Sequence, residues 1–384
     1  MTVKVTARGA ERWKQGHPWI YRSDVAEEPD KKPGIVPVTD RKGKFLGQAL
    51  YSPSSEIRLR LLTRGDEPID ATWWTKRIGD AAERRAGVGA TAWRAVHGEG
   101  DGLPSLIIDK YESYIVAQLL SAGLETARTD VVAAIREVFG PTGVLLRNDA
   151  AVRRHEGLPE EVVLAHGEVP KIVEVMEDGV RYVAAPWTGQ KTGAFLDQRE
   201  NRLLVGRHTR EGGRALDLFA YHGSFALHLA RRAKEVVAVD QSTEALARGA
   251  DNARLNAIAN IEWREANTFD LLRELERRRE QFDTIVLDPP AFAKTKANIE
   301  RAVAGYKEIN LRAMRVLAPG GVLFTSSCSY HVSRDLFNAM LADAARDSGR
   351  RIELVAMRGA AADHPELLNV PETAYLKGAL LQAR

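Results

Sequence analysis

From about residue 210 onward, short apolar runs alternate with helical stretches, and this alternation restricts the fold more than any other feature of the chain. The runs are rich in Val, Ile and Leu and are bounded by turn residues, which is typical of β-strands. The candidate strands are 215–218, 236–239, 261–264, 284–287, 322–324 and 352–355. Helices are expected between them, one beginning near Ser242 and one over the charged run 271–280. The pattern predicts an α/β fold with a doubly wound, mostly parallel sheet.

Two of these strands lead directly into loops that carry reactive-looking side chains. Asp288, Pro289 and Pro290 follow the strand 284–287, and Cys328 lies a few residues beyond the strand 322–324. Parallel strands place both loops at one rim of the sheet, where α/β folds bind their ligands. A thiol beside a rigid loop suggests an enzyme that attacks a ring covalently. A lone cysteine is more often a small buried apolar residue, so it is the position of Cys328 that favours catalysis.

Composition narrows the class of protein. The single cysteine excludes an intramolecular disulfide and a cysteine-rich zinc site, so we expect no metal and a reducing compartment. We find no signal-peptide pattern and no run of about 20 apolar residues, which predicts a cytoplasmic protein with no membrane partner. A net charge of +3 permits a polyanionic partner and does not require one. The basic clusters are expected on solvated helix faces; they are 84–85, 153–154, 231–232 and 277–279.

The first half of the chain has a different organisation. Residues 1 to about 70 contain three alternating segments that are typical of strands in a small β-barrel. A helical pattern over 70–86 is followed by strands and a second helix over 126–139, which predicts an α+β domain. We therefore expect three domains, with boundaries 1–70, 71–187 and 188–384.

The first two strands of the α/β region carry the pattern of a nucleoside-binding site. Asp240 ends the second strand 23 positions after Asp217, the spacing at which an acid bonds ribose hydroxyls. The loop after the first strand keeps only Gly223, with Phe219 and Tyr221 where a dinucleotide fingerprint has glycines. These side chains leave little room for a pyrophosphate, which argues against NAD and FAD. A ligand without phosphates, whose ammonium is held by Asp217, fits better: S-adenosylmethionine.

Further residues of this rim are candidates for cofactor contacts, and some of them have a structural alternative. Gln241 follows Asp240 and is grouped with it as a cofactor contact. Asn267 follows the third strand, where it can bond an adenine edge or simply terminate a turn. Asp217 and Asp240 can likewise serve only as strand-end caps.

These motifs resemble the class I S-adenosylmethionine methyltransferases, and more closely the ribosomal RNA large-subunit methyltransferase I group. The resemblance spans nearly the whole chain. It implies a Rossmann-like methyltransferase domain preceded by a PUA-like β-barrel and an α+β middle domain. The segments that carry it are 17–20 and 47–53 (barrel), 97–109 (middle domain), 189–202 (the block that leads into the catalytic domain) and 371–378.

The resemblance also implies site residues and partners. In this group the block 189–202 lies against the cofactor, so cofactor contacts are expected at Thr192, Asp197 and Arg199, with a structural network at a domain junction as the alternative. RNA contacts are expected at Lys191 and Arg202. Further RNA contacts are expected at Phe292, Lys294 and Lys296, with core packing or plain surface as the alternatives. The implied partners are 23S ribosomal RNA or a large-subunit precursor and a second copy of the chain.

The group makes 5-methylcytosine, and its chemistry assigns roles to two residues. Cys328 would add to carbon 6 of the base to activate carbon 5, and Asp288 would bond the ring nitrogen and the exocyclic amine. Ala291 stands where many related enzymes carry a second cysteine for product release, so the base that removes the proton is unassigned. Two other functions stay open: methylation of an exocyclic amine such as that of guanine, and a non-catalytic RNA-binding assembly factor.

Overall fold

The computed structural model describes residues 2–28, 31–293 and 296–384, without the side chain of Lys296. The chain divides into two compact units. The first unit comprises Met1–Glu177, Ala184–Leu196 and Ala362–Thr373. The second comprises Asp178–Val183, Asp197–Ala361 and Ala374–Arg384. The three-domain boundaries at 70 and 187 stay a prediction.

The first unit begins with a six-stranded sheet around a small apolar core. Its strands are β1 (Val3–Val5), β2 (Trp19–Tyr21), β3 (Val25–Glu27), β4 (Gly34–Thr39), β5 (Phe45–Tyr51) and β6 (Ile57–Thr63), and helix α1 is Ala7–Lys14. The strand order is β2-β6-β5-β4-β1-β3. Trp13, Ile20 and Leu59 are buried in this core. The polar face of β6 is also covered, because Arg58 and Arg60 are buried in ion pairs with Glu28 and Glu156.

A five-stranded sheet and four helices follow in the same unit. The strands are β7 (Ala92–His97), β8 (Leu106–Tyr111), β9 (Tyr114–Leu119), β10 (Gly143–Asn148) and β11 (Glu161–Gly167), in the order β11-β10-β9-β8-β7. The helices are α2 (Ala71–Glu83), α3 (Ala122–Glu125), α4 (Arg128–Phe139) and α5 (Val152–His155). Trp74, Ile78 and Val131 bury the apolar faces of α2 and α4 against the sheet. Two further strands follow along the chain: β12 (Val173–Glu177) lies in the first unit, and β13 (Val180–Ala184) lies in the second except for Ala184.

The expectation that the basic clusters lie on solvated helix faces is wrong for two arginines. Arg85 is buried and binds both carboxylate oxygens of Asp101 at 2.7 Å. Arg153 is fully buried beside Glu125 at 2.9 Å. A charge is buried only where partners satisfy it, and the partners here lie 16 and 28 residues away, beyond local pattern. The clusters 231–232 and 277–279 are exposed as expected.

The second unit is built on a seven-stranded sheet. The strands are β14 (Arg214–Leu218), β15 (Glu235–Asp240), β16 (Ile261–Glu265), β17 (Phe282–Leu287), β18 (Leu317–Ser327), β19 (Ile352–Arg358) and β20 (Lys377–Ala383). The order is β16-β15-β14-β17-β18-β20-β19, with β14 to β18 parallel and β20 antiparallel to both neighbours. The predicted doubly wound sheet is confirmed, and β14 to β19 contain all six predicted strands.

Helices cover both faces of this sheet, which is why its central strands are continuous apolar runs. The helices are α6 (Arg199–His208), α7 (Ser224–Ala230), α8 (Thr243–Leu255), α9 (Thr268–Arg278), α10 (Ile299–Val316) and α11 (Arg334–Ser348). Helices α9, α10 and α11 share one core, and α6 and α7 share the other. Strand order reverses at β14, so a ligand-binding crevice is expected at the carboxyl ends of β14 and β17. Within the described residues, no helix is long and apolar enough to cross a bilayer.

Candidate active site

The turn after β14 has an unusual backbone. Phe219, Tyr221 and Gly223 all have left-handed φ angles, of 65°, 51° and 78°. Such angles are uncommon for residues other than glycine, and strain of this kind clusters at functional sites. The amide of Tyr221 donates to Asp240 Oδ2 at 2.9 Å, which ties the turn to the end of β15. Phe219 and Tyr221 thus adopt glycine-like backbone geometry while filling the space that a glycine would leave.

Gly223 is required by its surroundings as well as by its φ angle. A Cβ atom at this position would lie 2.3 Å from the ring of Trp263, and one at Gly249 would lie equally close to the same ring. Both glycines therefore make room for this indole between α7, α8 and β16.

We expect Gly223→Ala to destabilise the fold by about 2–4 kcal/mol, because overpacking adds to the left-handed backbone cost. Chemical denaturation measures the change. Gly212→Ala is the matched control: Gly212 has φ 66° and nothing within 4 Å of an added Cβ, so only the backbone cost of about 1–2 kcal/mol applies. Equal losses in the two variants would contradict a steric role for Trp263.

Asp217 lies at the carboxyl end of β14 and is fully buried. Its Oδ2 accepts the amide of Ala226 at 2.9 Å, whereas Oδ1 has no hydrogen-bond partner among the described residues. Burial raises the pKa of this carboxyl well above its usual value, and the nearby Asp288 and Asp240 raise it further. A buried carboxylate with one unsatisfied oxygen fits a cationic ligand group.

Asp240, Gln241 and Asn267 are the other predicted cofactor residues of this rim, and two of them, Asp240 and Asn267, accept local hydrogen bonds. Asp240 is half-buried and also accepts the amide of Ser242 at 2.9 Å. Gln241 is exposed beside it. Asn267 is exposed and caps α9, where its side chain accepts the amides of Phe269 and Asp270. The turn role of Asn267 is thus present, and its contact with adenine stays a prediction.

Asp288 follows β17 and is half-buried. Its Oδ1 accepts hydrogen bonds from Gln198 Nε2 at 2.7 Å and from the hydroxyl of Ser326. Gln198 is in turn aligned by Asn201, whose Nδ2 lies 2.6 Å from its Oε1. Both donors to Asp288 are buried, so the carboxylate is oriented before any ligand arrives.

The half-buried Cys328 lies one residue beyond β18. Tyr306, on α10, contacts the loop that carries Cys328. Its hydroxyl lies 2.8 Å from Ser329 Oγ in that loop and 3.4 Å from the carbonyl oxygen of Pro290. One phenol therefore joins the two loops. Burial raises the pKa of Tyr306, and the adjacent Cys328 raises it further, so the hydroxyl stays neutral. The buried Lys377 donates to the carbonyl of Ser329 at 2.7 Å and so fixes the backbone of the same loop.

The hydroxyl of Tyr306 gives a prediction that needs no ligand. We expect Tyr306→Phe and Ser329→Ala each to cost about 1 kcal/mol of unfolding free energy, and the double variant to cost less than their sum, because both lose one bond. Chemical denaturation of the four proteins measures the coupling. Tyr114→Phe is the control, because the hydroxyl of Tyr114 makes no hydrogen bond in the described part of the chain. Its free energy of unfolding is expected to stay within about 0.5 kcal/mol of the wild-type value. Strictly additive losses would contradict the proposed clamp.

The block 189–202 is divided between the two units. In the first unit, Thr192 is fully buried and hydrogen-bonded to Asp109 and, at 2.9 Å, to Tyr111. Lys191 is exposed, with its ammonium 4.8 Å from the centre of the Phe195 ring. These contacts give Thr192 a structural role, and its contact with the cofactor stays a prediction.

The rest of the block belongs to the second unit. Asp197 is buried and accepts the hydroxyl of Tyr375 at 2.6 Å, and Arg199 is buried close to Glu200. Arg202 is only 1 % exposed, with its guanidinium 5.9 Å from the Tyr182 ring centre. A guanidinium that is buried in this way is not placed to meet RNA at the surface, so we leave Arg202 out of the proposed interface.

The predicted RNA contacts near β17 are described only in part. Phe292 is half-buried, and its ring packs 4.5 Å from that of Tyr306. Lys294 and the side chain of Lys296 lie outside the described residues, so their contact with phosphate stays a prediction.

The structure adds site residues that the sequence did not reveal: Gln198, Ser326, Tyr306 and Lys377. Gln198 lies inside the block that resembles the family, and Lys377 lies inside the C-terminal segment of that resemblance. Tyr306 sits in a helix with no motif of its own. All four are identified as site residues by their position near Cys328 or Asp288 in the folded chain.

Comparison with known proteins agrees with this geometry. A family model described as a PUA-like domain matches residues 3–64, and a model described as an S-adenosylmethionine-dependent methyltransferase matches residues 146–382. A candidate S-adenosylmethionine-dependent methyltransferase from Streptococcus mutans superposes over 100% of both chains, with a TM-score of 0.84 and 20% identity. The family model over residues 146–382 thus defines an S-adenosylmethionine-dependent methyltransferase, and the predicted fold class and cofactor are confirmed.

Sequence relatives narrow this class. The ribosomal RNA large subunit methyltransferase I of Tolumonas auensis is 39% identical over 379 residues, which cover 96% of this chain and 95% of that protein. That of Aeromonas hydrophila is 40% identical over 381 residues, 96% of each chain. The chain belongs to the ribosomal RNA large subunit methyltransferase I family, as the sequence resemblance predicted.

Proposed function

We propose that this protein methylates carbon 5 of a cytosine in 23S ribosomal RNA, with Cys328 as a covalent nucleophile. The observation that carries the proposal is the clamp formed by Tyr306, which holds the Cys328 loop against the Asp288-Pro289-Pro290 loop. The names of the relatives and the PUA-like domain support an RNA substrate. A ribosomal substrate also favours a cytoplasmic location, and the family resemblance favours a dimer.

Cysteine attack is the step that explains a thiol at this rim. The Cys328 thiolate forms a bond to carbon 6 of the base, the carbon 5–carbon 6 double bond opens, and its electrons make carbon 5 nucleophilic. Bound S-adenosylmethionine supplies the electrophilic methyl group. When a base, whose identity the chain does not assign, then takes the proton of carbon 5, the ring double bond re-forms and the bond between carbon 6 and the Cys328 sulfur breaks, which returns the thiolate.

Asp288 and Asp217 have separate roles in this proposal. The two donors on Oδ1 of Asp288 orient the carboxylate, and we assign it to accept a hydrogen bond from the exocyclic amine of cytosine. The unsatisfied Oδ1 of Asp217 is the group that fits the ammonium of the cofactor. Asp240 is assigned to the ribose hydroxyls, as its place at the end of the second strand suggests.

The experiment is to incubate the protein with methyl-labelled S-adenosylmethionine and 23S ribosomal RNA, either free or in large-subunit particles. Nucleoside mass spectrometry then identifies the product. Labelled 5-methylcytidine is expected. A labelled purine would replace the proposal with methylation of an exocyclic amine, and absence of label in every substrate form would favour a non-catalytic assembly factor.

A further inference from the structure

A groove on the second unit has no role in the chemistry described above. It lies between the N-terminal halves of α9 and α10, next to the loop that follows β17, and has a volume of about 370 Å³. Small-molecule sites typically span about 300–1,000 Å³, so the groove has the size of a nucleotide site. Its lining consists of Phe269, Phe292, Asn298, Arg301, Ala302 and Gly305.

Two aromatic rings form the apolar part of the groove. The rings of Phe269 and Phe292 are both half-buried, and their centres lie 6.1 Å apart. Gly305 keeps the space beside them open: a Cβ at this position would lie 3.5 Å from Phe292 and 4.0 Å from Phe269. Any longer side chain on Gly305 would therefore compete with a ligand for the ring surfaces.

The polar part of the groove is cationic. Arg301 is exposed and forms no hydrogen bond or ion pair with any described residue. No carboxylate is among the lining residues that the structure describes. Aromatic rings beside a free guanidinium are the combination that binds single-stranded nucleic acid, because every base has a face that stacks and every nucleotide has a phosphate.

We propose that this groove binds a nucleotide that flanks the target cytosine, with its base against Phe269 and Phe292 and its phosphate at Arg301. The inference rests on the proposed function, which supplies the RNA strand. The target base belongs at Cys328 and Asp288, and Phe292 lies four residues after Asp288, so a neighbouring nucleotide of the same strand is the occupant within reach. Phe292 is thereby assigned to a flanking base.

Two variants test the apolar part and the cationic part of the groove separately. Gly305→Leu fills it, and because leucine favours helix far more than glycine does, α10 should keep its structure. Arg301→Gln removes the charge at an exposed position. The control is Arg277→Gln, which removes the same charge from the exposed far end of α9. The smaller Gly305→Ala completes a size series.

Anisotropy measures the Kd of a 23S fragment over a salt series, and calorimetry measures the Kd of S-adenosylhomocysteine.

We expect Gly305→Leu to weaken RNA binding roughly tenfold or more, Gly305→Ala to weaken it less, and neither to change cofactor affinity. Arg301→Gln should weaken RNA binding and make the plot of log K against log salt shallower by about 0.7, the value for one phosphate contact on a single strand. Arg277→Gln should leave that slope unchanged.

Unchanged RNA affinity in both Gly305→Leu and Arg301→Gln would overturn the proposal. Loss of S-adenosylhomocysteine binding with intact RNA binding would also overturn it, by assigning the groove to the cofactor. The nucleoside that the wild-type protein methylates distinguishes a failure of the groove proposal from a failure of the proposed cytosine methylation. If wild type makes 5-methylcytidine and the groove variants bind RNA normally, only the groove proposal fails. If wild type methylates a purine and the groove variants bind RNA weakly, only the cytosine assignment fails.

Discussion

Cys328→Ala is expected to reduce the methylation rate on the order of 10⁴-fold or more, the scale of loss when a covalent nucleophile is removed. The reason is chemical: without addition at carbon 6, carbon 5 stays part of an aromatic ring and is a poor nucleophile. Nucleoside mass spectrometry measures the loss of product. S-adenosylhomocysteine affinity and the melting temperature serve as controls, because Cys328 is not among the proposed cofactor contacts and its half-buried side chain is small.

A second readout isolates the covalent step. RNA transcribed with 5-fluorocytidine cannot lose a proton from carbon 5, so the adduct should accumulate as a protein–RNA band that survives denaturing gel electrophoresis. Cys328 is the only cysteine in the chain, so no other thiol can form this band. A band in the Cys328→Ala variant, or full activity of that variant, would contradict the covalent mechanism and favour direct attack by an exocyclic amine.

The sequence predicted the sheet of the second unit well because its signals are local. Strands β14, β15 and β17 contain short apolar runs, and Asp217, Asp240 and Asp288 lie at or just after their carboxyl ends, as Cys328 does one residue after β18. Parallel topology alone brings such positions to one rim.

The supporting contacts could not be predicted, because they join residues far apart in the chain. Tyr306 is 23 positions from Ser329, and Gln198 is 90 positions from Asp288. Burial of Arg85 and Arg153 depended in the same way on distant carboxylates. Thr192 illustrates the same point: it lies in a recognised motif, but its hydrogen-bond partners Asp109 and Tyr111 are 83 and 81 positions away in the chain.

Asp217→Asn is expected to make the ligand-free protein more stable at neutral pH while weakening the binding of S-adenosylhomocysteine roughly ten- to a hundredfold. The gain arises because burial disfavours the charged carboxylate, whereas the amide has the same shape and no charge. The loss arises because a charge-assisted hydrogen bond to an ammonium contributes about 1.5–3 kcal/mol. Thermal unfolding and calorimetry measure the two effects. Asp80→Asn, an exposed change of the same charge, should alter neither.

The pH dependence of this stabilisation has a definite sign. The unfolded pKa of aspartate is about 3.9, and the folded pKa of Asp217 is raised. Between these two values the folded protein holds a proton that the unfolded chain has released, so rising pH favours unfolding. The stability that Asp217 contributes is fully present below pH 4 and is lost as pH rises through the folded pKa.

Wild type and Asp217→Asn should therefore have similar melting temperatures near pH 4 and separate as pH increases, with the variant higher. Each kcal/mol corresponds to roughly 2–4 °C for a domain of 150–250 residues. A variant that is less stable than wild type at every pH would show that Asp217 is already satisfied without a ligand. Unchanged affinity for S-adenosylhomocysteine would remove it as the ammonium-binding group. A stability gain with a loss of affinity would mean that the fold keeps this buried acid for its ligand, at a cost to its own stability.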